Sequence, residues 1–250
     1  MTPDAGFYLL AVPAVLLAGI SKGGFGAGAS FAATPLLALA LPPGLAVGLM
    51  LPLLLVMDAV GLPAWWRRWD WRNAWVMMLG AVPGVMLGAA LFRWADANAI
   101  RVAIGVLALG FVAYRVALGL GWLKVARRPF SPLSAALAGL ASGFTSFVTH
   151  AGGPPAAMHL LGQGLDRHRY QATTVLLFSW INLVKLPFYV AAGMITRDSV
   201  LAGAALAPVA LLGVLAGVWL HRRMPERPFF IMIYALLAAT GIKLIADGLA

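Results

Sequence analysis

Cysteine is absent from the 250 residues, which excludes disulfides, thiol nucleophiles and cysteine-ligated metals. Charge is scarce as well. Only 10% of the residues are charged, where a soluble domain carries about 25%. A soluble barrel or bundle needs a polar outer face, and this chain has too few polar residues to build one. Acidic residues are the scarcest: 8 Asp and Glu stand against 18 Lys and Arg, a net charge of +10. That balance suits a nucleic-acid partner only where the basic residues form a patch or stripe. Here they sit in short loops between apolar runs, so no nucleic-acid partner is expected. No GKS or GKT triplet follows the glycines, which excludes a phosphate-binding loop. No cleavage signal follows the first apolar run, which therefore reads as a membrane segment. What is present is hydrophobicity, 62% of the chain. The expectation is an all-α polytopic membrane protein in a lipid bilayer.

Apolar segments are expected at about residues 7–41, 45–64, 74–92, 99–118, 132–161, 172–190, 199–220 and 229–249. The segments 7–41 and 132–161 are too long for one helix of about 20 residues. Each is expected to be broken or re-entrant. The first break should fall at residues 21–28, where glycines permit non-helical backbone. Gly80, Gly84 and Gly88 make one small-residue face and Gly213 and Gly217 a second, suited to internal packing or to a homodimer. A monomer is the default. The loop from Trp65 to Arg72 holds four tryptophans beside basic residues, as an interfacial belt does.

Loops 65–73, 119–131, 162–171 and 221–228 hold eleven Lys or Arg, while loops 41–44, 93–98 and 191–198 hold only Arg93 and Arg197. The positive-inside rule puts the first set in the cytoplasm. All four share one side only if 132–161 enters and returns to the side it came from. If 7–41 does the same, both termini are periplasmic. The halves are then inverted repeats, 1–121 and 132–250, joined by a cytoplasmic linker at 122–131. Each has a broken first segment followed by three transmembrane helices. Two such halves can open a central site to each side in turn. Helix termini at the breaks would offer free N–H groups to an anion near the midplane.

Two stretches carry the repeat. Residues 19–35 read GISKGGFGAGASFAATP, and residues 139–155, at a shift of 120, read GLASGFTSFVTHAGGPP. With the length, the paired halves and the Gly84/Gly88 helix, this pattern resembles the sulfite exporter TauE/SafE family of membrane permeases. The resemblance implies a bacterial inner-membrane permease without a cofactor. It would move a small sulfur-containing anion (sulfite, a sulfonate or thiosulfate), with export driven by a proton or ion gradient. An intramembrane enzyme and a structural membrane subunit are the alternatives. No nucleophile–base spacing favours the first, and the polar residues buried in both halves speak against the second.

The candidate substrate-binding residues are Ser21, Lys22, Gly23, Gly24, Thr145, Ser146, Thr149, His150, Asn182 and Lys185. Lys22, at the first break, either meets the anion or pairs with Asp58. On the first reading, Lys22→Met should lower transport far more than folding. Asp58 lies mid-segment and either carries a coupling proton or forms an ion pair with Lys22 or Lys185. A shift of 124 brings Asp58 onto Asn182, which either completes a polar patch or joins helices. Lys185, three residues on, shares the Asn182 face. Hydroxyls at Thr145, Ser146 and Thr149 either donate to oxyanions or bond within their own helix. His150 donates to the anion, relays a coupling proton, or simply packs. Ser179 and Thr34 are weaker lining candidates, and His159 and His168 carry little signal.

Overall fold

The computed structural model describes residues 5–24, 32–123, 126–221 and 226–250. The regular structure among them is all helical: α1 (Ala5–Gly24), α2 (Ala33–Ala38), α3 (Pro43–Gly61), α4 (Trp71–Trp94), α5 (Ala97–Gly119), α6 (Pro132–Thr149), α7 (Gly153–Gly162), α8 (Arg167–Ala191), α9 (Arg197–His221) and α10 (Glu226–Leu249), with a 3-10 turn at Leu62–Trp65 after α3. Eight are long and apolar enough to cross a membrane. The exceptions are α2 and α7, with 6 and 10 residues. The molecule is an all-α polytopic membrane protein. The order long, short, long, long, long occurs twice. Gly26, Gly28, Lys124 and Arg222, which figure in the sequence reading, lie outside the described residues.

Side-chain caps start four of the helices where the apolar runs begin. Asp70 accepts from the Asn73 N–H, Asp96 from Ala99, Ser131 from Ser134, and Asp166 from His168 and Arg169. Each satisfies donors that a helix N-terminus leaves open. The Arg169 N–H, with that of His168, holds the Asp166 carboxyl below its ordinary range.

The closest packing pairs α4 with α6 and α1 with α9. Both pairs run parallel, and glycines let the backbones meet. A Cβ at Gly80 or Gly84 would overlap the carbonyl of Ala136 or Leu140 on α6. One at Gly139 or Gly143 would overlap Met77 or Ala81 on α4. On the other pair, a Cβ at Gly19 would lie 2.6 Å from the Ala210 carbonyl oxygen, and one at Gly213 2.8 Å from that of Leu16. The third extensive contact, α5 with α10, is antiparallel, with Gly105 against Gly241 and Gly248 against Asn98. Gly80, Gly84 and Gly88 are thus filled by α6, and Gly213 by α1, within the chain.

A single methyl group tests this packing. Gly84→Ala is expected to cost about 1–3 kcal/mol through overpacking. Gly110→Ala, where nothing lies within 4 Å, should cost nothing or gain from helix propensity. Thermal unfolding in detergent separates the two. A Gly84→Ala protein that melts with the wild type would refute the close α4–α6 contact.

The second broken segment is a hairpin. α6 ends at Thr149, and His150 turns the chain in the left-handed region at φ 56. α7 then returns alongside α6. The Arg128 N–H before α6 donates to the Gly162 carbonyl at the end of α7, at 2.9 Å. Ser134 on α6 bonds His159 on α7 at 3.1 Å. The loops around it gather at one end: Trp65 lies by His168, Arg72 covers the Phe130 ring at 4.1 Å, and the Asp70 N–H reaches Thr173. At the opposite end Phe7, Leu41, Leu45, Thr196 and Ser199 line one cavity of about 220 Å³. Phe7 and Leu41 line the same cavity, which brings the start of α1 near the end of the first broken segment. Of the four loop tryptophans, Trp66 and Trp71 are exposed as a belt requires, but Trp69 is buried edge-on between them.

Candidate anion-binding site

The polar residues of the interior meet where α3, α6 and α8 converge with the end of α1. Lys22 is in the last turn of α1, and its ammonium lies 2.7 Å from Asp58 Oδ1 on α3. It also donates to the Leu54 carbonyl at 3.1 Å. The other carboxylate oxygen, Oδ2, accepts from Asn182 Nδ2 on α8 at 2.7 Å. The shift of 124 that superposes Asp58 and Asn182 in the sequence therefore corresponds to direct contact in space.

Lys185 is one turn beyond Asn182 and is fully buried. Its three N–H bonds have three acceptors: the Ser146 carbonyl at 3.1 Å, Ser146 Oγ at 3.1 Å and His150 Nδ1 at 2.8 Å. None is a carboxylate. The ammonium sits against the last turn of α6, where the helix dipole favours a cation. His150 reaches the other way, with Nε2 3.0 Å from the Val47 carbonyl oxygen on α3. Tyr189, four residues after Lys185, donates its hydroxyl to the Phe147 carbonyl and packs edge-on to the Phe147 ring. The cluster thus holds two lysines against Asp58, which is the one carboxylate among the buried described residues.

The other candidates divide. Thr145 and Thr149 return their hydroxyls to α6, to Ala141 at 2.8 Å and to Thr145 at 3.0 Å. Gly23 is filled by the Val214 carbonyl, so its missing side chain serves the α1–α9 contact. Gly24 ends α1. Both lie at a helix C-terminus, which presents carbonyl groups rather than N–H groups. The N-terminus of α7 is equally poor in donors. It begins Gly153-Pro154-Pro155, and proline carries no N–H. Side chains are left to supply the donors. Ser21, Thr34, Ser142 and Ser179 are buried with no hydrogen-bond partner among the described residues.

Ser142 and Tyr189 escaped the sequence reading. Their signal was spacing: each is one helical turn from a residue already singled out, Ser146 or Lys185. His159 is buried between Asn73 Oδ1 at 2.7 Å and Ser134 Oγ at 3.1 Å. It ties α4, α6 and α7 together away from this cluster. No group of three or more potential metal ligands occurs among the described residues.

Eight apolar helices around a buried cluster of charge define a multi-pass membrane protein with a polar centre. Residues 11–244 match the model of the family described as sulfite exporter TauE/SafE. The chain belongs to that family and is a membrane transport protein. No curated protein and no solved structure matches it.

Proposed function

We propose that this protein is a secondary transporter for a small sulfur-containing oxyanion, with Lys185 as the charge partner of the anion. One observation carries the assignment. Lys185 is wholly buried and has no carboxylate within ion-pair distance among the described residues, while Asp58 is already taken by Lys22. A buried charge without a counter-charge is costly in a membrane interior, and an anionic ligand removes that cost. Ser146 contacts the ammonium, Asn182 lies one turn before Lys185 on α8, and the partnerless hydroxyls of Ser21, Ser142 and Ser179 are donors in reserve. Hydroxyls bind oxyanions without adding charge, which suits a carrier that must also release its cargo.

The two halves, 1–121 and 132–250, act in this reading as inverted repeats that alternate access. Support comes from the pairing of helices. α1 of the first half lies parallel to α9, as α6 of the second half lies parallel to α4. Asp58 and Asn182, equivalent by sequence shift, touch at the centre. The basic loops around α4, α6 and α8 gather at one end, which the positive-inside rule assigns to the cytoplasm of a bacterial inner membrane. Both termini then face the periplasm. Internal filling of the glycine faces favours a monomer.

The test is uptake of labelled sulfite by purified protein in proteoliposomes, with and without an imposed pH gradient. Gradient-dependent flux, competed by thiosulfate or a sulfonate, is expected. Absence of flux in both conditions would refute sulfite as the cargo.

A further inference from the structure

His150 ends α6 with φ 56, a conformation that glycine takes freely and a larger residue takes at a steric cost. Both nitrogens of its ring are engaged. The Val47 carbonyl oxygen, 3.0 Å from Nε2, only accepts, so Nε2 carries the hydrogen. Nδ1 therefore accepts from the Lys185 ammonium at 2.8 Å, and the ring is neutral. A proton added to Nδ1 would set N–H against N–H across that distance. Without a ligand, Lys185 and His150 together hold one positive charge. The other groups facing this pair are Lys22 on α1, held by Asp58 on α3, and Tyr189 on α8, whose hydroxyl is spent on Phe147.

We propose that His150 takes up one proton for each anion that binds at Lys185, so that anion and proton cross together. This rests on the reading of Lys185 as the anion's charge partner. An anion oxygen that takes an N–H of Lys185 draws the ammonium away from Nδ1. The ring is left with an unpaired acceptor beside a new negative charge. Both changes favour a proton on Nδ1, which then donates to the same anion. The charge balances. Empty, the site holds Lys185 as ammonium and neutral His150. Loaded with a singly charged anion, it holds the ammonium, the imidazolium and the anion. The net charge is the same in both states, so the carrier reorients with equal charge whether loaded or empty, and transport of such an anion is electroneutral. The carbonyl of Val47 accepts from Nε2 throughout, which keeps the ring aimed at the site in both protonation states.

The experiment is calorimetric titration of the full chain in detergent with sulfite and, separately, with thiosulfate, which is fully ionised near neutral pH. Each is run above neutral pH in two buffers of different ionisation enthalpy. Uptake of about one proton per thiosulfate bound is expected from linkage. His150→Asn keeps a residue that tolerates the left-handed turn, with an Oδ1 to accept from Lys185, but it cannot titrate. That variant should bind more weakly, take up no proton, and lose the response of transport to a pH gradient. Binding by the wild type without proton uptake, or wild-type proton uptake by His150→Asn, overturns this proposal alone. Failure of both anions to bind the wild type overturns the reading of Lys185, and this proposal with it.

Discussion

Lys185→Met is expected to lower sulfite flux about thirtyfold or more while the protein stays folded, since losing a buried charge partner costs binding about 2–5 kcal/mol and each 1.4 kcal/mol is roughly tenfold. Methionine keeps most of the volume of the stem. It leaves Ser146 and His150 without their donor, but it also removes a buried charge that no carboxylate balances. Replacement of buried charge by an apolar side chain is often neutral for stability. The melting temperature in detergent should therefore stay close to that of the wild type. The assignment fails if Lys185→Met transports at the wild-type rate. It fails equally if flux is lost only because the protein no longer folds, which the melting curve reveals.

Lys22 gives the opposite result. Lys22→Met leaves the Asp58 carboxylate buried with only Asn182 to meet it, and breaking a buried pair from one side costs about 3–5 kcal/mol. Asp58→Asn strands Lys22 in the same way. The double variant Lys22→Met/Asp58→Asn removes both charges and should recover most of the loss. A double-mutant cycle on unfolding free energy in detergent measures the coupling. If the losses simply add, the pair is not the structural unit described here. The sequence reading in which Lys22 meets the anion led to the contrary expectation, that Lys22→Met lowers transport far more than folding, because Lys22 is the one charge at the first break. The structure places a carboxylate 2.7 Å away, and that distance reverses the prediction.

Much of the architecture was legible in advance. The expected segments agree with α3, α4, α5, α8, α9 and α10 to within a few residues. Long apolar runs have few alternatives in a bilayer, where every backbone group must be satisfied within its own helix. The second break was legible because 132–161 is too long for one helix, and the basic loops flanking it share one side only if it returns. The four-residue spacing of Gly80, Gly84 and Gly88 predicted a close contact, and they have one with α6. The partner helix was not legible, because spacing describes one surface and says nothing of the surface opposite.

The site divides along the same line. Lys22, Asp58, Ser146, His150, Asn182 and Lys185 were selected from sequence because polar residues are rare in such segments and costly there. Their roles depend on which helices face one another. Asp58 had two lysines to choose between, and only the approach of α1 to α3 assigns it to Lys22. Thr145 and Ser146 are neighbours in sequence, but a step of about 100° along the helix turns one hydroxyl back to Ala141 and the other to Lys185. Composition, hydrophobic run length and the positions of glycine and proline determined the membrane class, the segments and the set of candidate residues, because these follow from local chemistry in a bilayer. The tertiary structure decided which lysine is neutralised by Asp58 and which is held by Ser146 and His150 instead. The Lys22–Asp58 ion pair and the Lys185–Ser146 hydrogen bond act over a few ångströms between residues 36 and 39 positions apart in the chain, and the sequence does not encode that distance locally.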